Sequence, residues 1–178
     1  MNKKDKKVIN IFLRYIFLIL IALPGFGLLY EIFLPLTKYP VYWFLQIFFD
    51  PVMIGNTLTI GPKIIEIVGA CVAGSAYYFL LILNLGTPEI KSSLRIKLIF
   101  LSFLGFLIVN IIRIIILSVM YIQNSPIFDF VHKLLWYFGS TILIVLIWFL
   151  EVKIFKIEKI PFYSDLKGLY QLSSLKKK

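Results

Sequence analysis

The chain of 178 residues contains one cysteine, Cys71, and one histidine, His132. A lone cysteine excludes a disulfide within the chain, and it leaves a thiol oxidoreductase without the second thiol that resolves a mixed disulfide. One cysteine and one histidine are also too few for a structural zinc site, which takes about four ligands. We therefore expect no metal and no cofactor. Cys71 stays open to three interpretations: an inert buried thiol, a lipidation site or a nucleophile.

Charged residues are scarce as well, at 16% of the chain. Hydrophobic residues make up 60%, with a mean hydropathy of +0.92, whereas soluble domains are about 45–50% apolar. The composition predicts an all-α integral membrane protein. The length leaves room for about four or five spans of roughly 20 residues and little else. We therefore expect a single membrane domain over residues 1–178, without a separate soluble catalytic domain.

Acidic residues are outnumbered, with 9 Asp and Glu against 19 Lys and Arg, for a net charge of +10. Such a charge can indicate nucleic-acid binding, but its placement favours membrane topology. Most of the basic residues lie before the first apolar run, in the loop at 91–97 and in the tail at 152–178. The positive-inside rule then predicts both termini in the cytoplasm and no nucleic-acid partner.

Four apolar segments predict about four transmembrane helices. The first, Ile9–Leu34, is too long for a signal-peptide core of about 7–15 residues and has no Ala-x-Ala site after it. It is predicted to be a retained helix that is kinked around Pro24 and ends near Pro35. The other three spans are predicted at about Ala70–Leu85, Leu98–Tyr121 and Val131–Leu150.

The region between the first two spans has no long apolar run. The segment Val41–Phe49 is apolar and aromatic, but with about nine residues it is too short to cross a bilayer. It predicts a short interfacial or re-entrant helix. Beyond it, Asn56–Ile60 and Lys63–Val68 flank Gly61-Pro62 and predict a small β-hairpin. The topology places this hairpin on the extracytoplasmic side.

Three polar residues fall at the predicted outer ends of successive spans: Cys71, Arg113 and His132. Arg113 interrupts the apolar run Ile111–Leu117, where burying a charge costs roughly 3 kcal/mol or more. It is predicted to face the bundle interior, with snorkelling to the headgroups as the alternative. Neighbouring helices in a bundle lie about 10 Å apart, so the three ends are expected to meet.

Two further residues are predicted to support this group. Asn110 lies one helical turn before Arg113 on the same face and can orient the guanidinium. Asp129 lies three residues before His132, and it can orient the imidazole or simply cap the fourth helix. Simpler interpretations also remain, with Cys71 as an apolar filler and His132 as an interfacial side chain.

A thiol beside an imidazole is a nucleophile with its general base. An arginine at the same place can hold an oxyanion or a substrate carboxylate. Cys71 is also predicted in the first turn of its helix, where the helix dipole favours a thiolate. Together these residue types suit acyl transfer through a thioester, with a protein segment as the substrate.

Three blocks in order then carry a family resemblance. They are Glu66–Ser75 leading into the cysteine, the Asn-x-x-Arg helix at Asn110–Arg113, and His132 with Gly139 beyond it. Over roughly Asn56–Leu150 the chain resembles the exosortase/archaeosortase family of membrane-embedded cysteine transpeptidases, and in particular its compact archaeal members.

The resemblance implies a protein-sorting enzyme in the cell membrane with its site at the extracytoplasmic face. Its partners are an exported protein with a C-terminal tripartite sorting signal and membrane lipid, which serves as environment and as a possible acceptor. Such an enzyme cleaves the signal and passes the acyl group to a lipid or an amine. The implied roles are Cys71 as nucleophile, His132 as general base and then acid, and Arg113 as oxyanion or motif clamp.

Two other classes of function are a membrane scaffold and a transporter. A non-catalytic membrane scaffold or assembly protein would use Arg113 as a structural pair and leave Cys71 inert. A small transporter would need polar residues through the depth of the bundle. The first and fourth predicted spans have almost none between Ile16 and Leu34 or between Ile142 and Leu150, which argues against transport.

Overall fold

The computed structural model describes residues 3–172 and is mostly helical. Its helices are α1 (Lys3–Ala22), α2 (Gly27–Gln46), α3 (Gly69–Val72), α4 (Gly74–Gly86), α5 (Ser92–Ile122), α6 (Phe128–Leu134), α7 (Ser140–Ile154) and α8 (Tyr163–Leu172). One turn of π-helix, Leu135–Gly139, joins α6 to α7. The strands β1 (Val52–Ile54), β2 (Thr57–Ile60) and β3 (Lys63–Glu66) lie between α2 and α3. The predicted combination of a helical bundle with a small sheet is confirmed.

Three helical segments are long and apolar enough to cross a membrane: Gly69–Gly86, Ser92–Ile122 and Phe128–Ile154. A fourth arises if α1 and α2 are counted as one bent span. By length and composition this agrees with the predicted number. Large apolar side chains such as Phe100 and Phe149 stay exposed on the outer faces of these helices, as expected of a surface that meets lipid.

The first predicted span is wrong in detail, because the chain forms two helices there instead of one kinked helix. The axes of α1 and α2 are bent by 70°. Gly25 and Phe26 both adopt left-handed backbone, with φ of 62° and 63°, which ends a right-handed helix. The preceding Pro24 has no N–H with which to continue the hydrogen-bond ladder.

The predicted end near Pro35 and the separate interfacial helix at Val41–Phe49 are also wrong. Helix α2 runs through both Pro35 and Pro40 to Gln46. Each proline removes a backbone hydrogen bond, at a cost of about 3 kcal/mol or more in a helix interior. Burial offsets this cost, because one face of α2 places fully buried side chains in the core at four-residue intervals: Thr37, Val41 and Leu45.

The sheet has three antiparallel strands in the order β1-β2-β3, one more than predicted. Two glycines with positive φ, Gly55 and Gly61, make its turns. The added strand has a physical reason, because an isolated two-stranded hairpin is only marginally stable. Along β2, Leu58 and Ile60 are buried and join the main core, so the sheet rests on the bundle.

Helix α4 forms the centre of the bundle. Its Tyr77 is fully buried and stacks on Phe33 of α2, with ring centroids 3.6 Å apart. Phe103 and Phe106 of α5 meet the same ring edge-on, at 5.4 and 4.9 Å. Aromatic contacts of this kind add about 0.5–1.5 kcal/mol each beyond area burial. They fix α2, α4 and α5 relative to one another, and α4 follows the segment that carries Cys71.

The basic tail predicted at 152–178 is in part a docked helix. Asp165 of α8 is buried and accepts two hydrogen bonds from Arg14 of α1, both at 2.8 Å. Arg14 also donates to the carbonyl of Leu85 at 2.6 Å. This ion pair ties α8 against α1 at the end of the bundle opposite the sheet. Residues 173–178 lie outside the described part of the chain.

Candidate functional site

Cys71 lies in α3, a helix of only four residues that begins directly after the sheet. The next helix does not continue it, because Ala73 adopts left-handed backbone with φ of 57°. The predicted single span from Ala70 is therefore broken two residues after the cysteine. Carbonyl groups in the last turn of a helix have no partner within that helix. The carbonyl of Cys71 is thus free to accept hydrogen bonds from other elements.

Two side chains of α5 donate to this carbonyl. Asn110 donates through Nδ2 at 2.9 Å, and Arg113 donates through Nη2 at 3.3 Å. Asn110 is 1% exposed. The prediction that Arg113 faces the bundle interior and shares a face with Asn110 is confirmed. Both residues hold the backbone that carries the cysteine, in addition to any contact they make with a substrate.

The other end of the Arg113 guanidinium is held by a residue that the sequence analysis missed. Nη1 donates to the hydroxyl of Ser140 at 3.0 Å, while Nε is buried without a hydrogen-bond partner. A guanidinium has five N–H donors. Two are accounted for by these protein contacts, so the group retains donors for an anionic atom in the cleft beside it.

His132 lies on α6 with its side chain exposed. Its ring is flanked by residues one turn away on either side: it stacks on Phe128 at 5.4 Å and meets Trp136 edge-on at 6.0 Å. Both predicted roles for Asp129 are wrong. Within residues 3–172 no hydrogen bond joins it to His132, and the cap position of α6 is Ile127, with no side-chain cap. Aromatic stacking orients the imidazole instead.

One cleft of about 230 Å³ brings the three predicted residues together. Cys71, Arg113 and His132 all line it, between β3 and helices α3, α5 and α6. Glu66 of β3 is exposed and also lines this cleft. The remaining wall is mostly apolar, including Leu117 and Phe128. We call this space the Cys71 cleft.

The sheet closes one side of the Cys71 cleft through contacts with the end of α5. The ammonium of Lys63 on β3 lies 4.7 Å from the centroid of the Tyr121 ring. The same ammonium donates to the side-chain oxygen of Asn124. Cation–π contacts contribute about 0.5–1 kcal/mol at exposed sites. These contacts make β3 a wall of the cleft, with Glu66 at its rim.

A second, wider groove of about 730 Å³ reaches Arg113 from the other side. It runs between α2, α3, α4 and α7, and small residues contribute to its lining: Gly69, Ala70, Ala73, Gly74 and Ala76. Ser140 lines this groove but not the Cys71 cleft, and Arg113 lines both. The guanidinium therefore stands between two spaces that are open to a bound molecule.

A buried acid that the sequence analysis did not consider lies at the opposite end of the bundle. Glu151 of α7 is 5% exposed and accepts a hydrogen bond from Asn84 Nδ2 at 3.1 Å. Asn84 also approaches the hydroxyl of Ser102 at 3.4 Å. The cluster joins α4, α5 and α7 and is separate from the Cys71 cleft. Glu151 lies one residue beyond the predicted fourth span, Val131–Leu150, so the polar residues of that span do not include it.

Among residues 3–172, no three or more His, Cys, Asp and Glu side chains are placed to share a metal ion. Comparison with models of protein families, with curated proteins and with solved structures found no match for this chain. The chemistry of the site has to be inferred from its own residues: a thiol, a guanidinium and an imidazole around one small cleft.

Proposed function

We propose that this protein is a membrane-embedded cysteine protease or transpeptidase of the exosortase/archaeosortase type. It is a multi-pass protein of the cell membrane with both termini in the cytoplasm. Its Cys71 cleft opens at the extracytoplasmic face. Its substrate is an exported protein with a C-terminal tripartite sorting signal, and the acceptor is a lipid or an amine.

The observation that carries this proposal is the shared lining of the Cys71 cleft. Cys71, Arg113 and His132 come from three different helices and are far apart in sequence, yet they line one space of about 230 Å³. A cleft of this size suits a short extended peptide segment more than a whole folded domain. Its mostly apolar wall lowers the local dielectric constant, which strengthens the electrostatic effect of Arg113 on a developing charge.

In the first half of the reaction, the Cys71 sulfur attacks the carbonyl carbon of the scissile peptide bond. His132 accepts the thiol proton, and an S–C bond forms as the carbonyl π-electrons move onto oxygen. A free N–H of Arg113 stabilises that oxyanion. When the intermediate collapses, the C–N bond breaks and His132 returns the proton to the leaving amine, which leaves an acyl thioester on Cys71.

In the second half, the acceptor amine or hydroxyl attacks the thioester carbonyl. His132 takes the acceptor's proton, and Arg113 again stabilises the oxyanion. The C–S bond then breaks, and the thiolate of Cys71 regains the proton from His132. The product carries a new amide or ester bond, and the enzyme returns to its starting state with no net redox change. One cysteine is sufficient for this cycle.

The test is cleavage of a co-expressed exported protein that ends in a tripartite signal, followed by the size of the product. Cys71→Ala and Cys71→Ser are expected to abolish processing. Ser93→Ala, on an exposed position at the other end of α5, is the matched control and is expected to process normally. Unchanged processing by both Cys71 variants would exclude the mechanism.

A specific observation also favours the non-catalytic scaffold. Both protein contacts of Arg113 tie elements of the chain together, one on the Cys71 carbonyl and one on Ser140. A structural clamp would use the arginine in the same way. The two functions differ in thiol reactivity, since a scaffold has no need of a reactive sulfur. Failure of Cys71 to react with an impermeant maleimide at neutral pH would support the scaffold.

A further inference from the structure

The π-turn between α6 and α7 sets which residues of these helices share a face. In a regular α-helix eight residues advance by about 800°, which would place residue 140 roughly 80° around the axis from residue 132. Here Leu135–Gly139 forms a π-turn within that interval. One α-turn of about 3.6 residues and one π-turn of roughly 4.4 residues add up to eight. Ser140 therefore returns to the face of His132, two turns further along.

The contacts agree with this alignment. His132 lines the Cys71 cleft, and Ser140 accepts the hydrogen bond from Arg113 Nη1 at 3.0 Å. Both therefore face α5. Single π-turns occur frequently at functional sites, and a serine in a hydrophobic helix gains most from its hydroxyl when the hydroxyl has a partner in the bundle.

Ser140 and Cys71 hold the guanidinium from opposite ends. One contact alone lets the planar group turn about that contact, whereas two contacts on different nitrogens fix both its position and its plane. Nη2 is directed to the Cys71 carbonyl, Nη1 is directed to Ser140, and Nε is left without a partner. The charge is thereby held beside the cleft that Cys71 also lines.

We propose that Ser140 is a positioning residue of this site, which acts by fixing Arg113 next to the Cys71 thiol, and that the π-turn at Leu135–Gly139 is what brings it there. This inference rests on the proposed function in naming Cys71 as the reacting group. The contact between Ser140 and Arg113, and its effect on the thiol, are testable without a substrate.

The experiment measures alkylation of Cys71 by iodoacetamide in the purified full-length protein in detergent, followed by mass spectrometry at pH 7. The reading is unambiguous because the chain has one cysteine. A nearby positive charge favours the reactive thiolate, so Arg113→Gln is expected to slow alkylation. Ser140→Ala is expected to slow it by about threefold to tenfold, and Ser140→Thr, which keeps the hydroxyl, to stay within about twofold of the wild type.

A double variant separates positioning from a general structural effect. If Ser140 acts only through Arg113, then Arg113→Gln with Ser140→Ala reacts no more slowly than Arg113→Gln alone. Thr141→Ala, one residue away and exposed, is the control and is expected to react like the wild type. Wild-type alkylation in Ser140→Ala, additive slowing in the double variant, or failure of Ser140→Thr to restore the rate would each overturn the proposal.

The outcomes distinguish this inference from the proposed function. If Cys71→Ala abolishes processing while Ser140→Ala alkylates normally, the function stands and the role of Ser140 is lost. If Cys71→Ala processes its substrate normally while Ser140→Ala reacts slowly and Ser140→Thr restores the rate, the positioning contact stands and the proposed function is lost.

Discussion

The side-chain amide of Asn110 donates a 2.9 Å hydrogen bond to the backbone carbonyl of Cys71. The contact joins the long helix α5 to the short helix α3 across 39 positions of sequence. It uses a carbonyl that the break at Ala73 leaves without a partner in its own helix. The position of the only thiol in the chain is thus set by the side chain of a buried residue on another helix.

Replacement of Asn110 by Ala or Leu is expected to lower both stability and thiol reactivity. Either variant leaves the Cys71 carbonyl with only the longer contact from Arg113, and the loss of one hydrogen bond costs about 0.5–1.5 kcal/mol. The measurements are the unfolding temperature in detergent and the rate of iodoacetamide reaction. Asn10→Ala, on the exposed side of α1, is the matched control. Wild-type values in both measurements for both Asn110 variants would contradict this role.

A deletion and an insertion in the π-turn are expected to have different effects on the reactivity of Cys71. Deletion of the exposed Phe138 leaves seven steps between His132 and Ser140, roughly two turns of a regular α-helix, so the two still share a face. Insertion of one alanine after Phe138 makes nine steps and turns Ser140 away from Arg113. Alkylation of Cys71 should stay within about threefold of the wild type in the deletion and fall to the level of Ser140→Ala in the insertion. The reverse order would refute the register argument.

Loss of the ion pair between Arg14 and Asp165 is expected to release α8. Arg14 is 10% exposed and Asp165 is 2% exposed, and removing one partner of a buried pair costs about 3–5 kcal/mol. Asp165→Ala should therefore lower the unfolding temperature and make the segment after α7 sensitive to limited proteolysis. Lys159→Ala breaks the half-exposed contact with Glu89, and this control should cost at most about 1 kcal/mol. Equal protease resistance of the two variants would count against the docked helix.

The proposed orientation is open to a separate test. A peptide tag placed after Lys178 is expected to be protected from an external protease in intact cells and to become accessible when the cells are opened. A second tag in the turn at Gly61, between β2 and β3, is expected to be cleaved from outside. The basis is the positive-inside rule. Cleavage of the tag after Lys178 in intact cells would reverse the topology and place the Cys71 cleft on the cytoplasmic side.

The long apolar runs and the inward position of Arg113 could be predicted from the sequence. A run such as Leu98–Tyr121 has one low-energy conformation in an apolar environment, because each backbone polar group has to find its partner within the helix. In the structure this run belongs to a longer continuous helix, α5, at Ser92–Ile122. A guanidinium within this run needs hydrogen-bond partners inside the bundle. The inward orientation of Arg113 could therefore be predicted, whereas the identity of its partners could not.

Features that depend on contacts between distant segments could not be predicted. The path of α2 through Pro35 and Pro40 depends on the burial of its inner face, and local propensity indicates the opposite. Ser140 was missed because a regular helix would turn it away from the face of His132, and the sequence has no signal for the π-turn. Asp129 was misassigned because stacking by Phe128 and Trp136 replaced the hydrogen bond that a carboxylate would make.

The contact between Arg14 and Asp165 also bears on how the protein is made. The arginine leaves the ribosome early, and its carboxylate partner is synthesised 151 positions later. Until then the guanidinium has no acid to neutralise it against α4. The ion pair between α1 and α8 can therefore form only when nearly the whole chain has been translated. A product cut short before residue 165 keeps the Arg14 charge at this end of the bundle without the carboxylate that pairs with it in the complete fold.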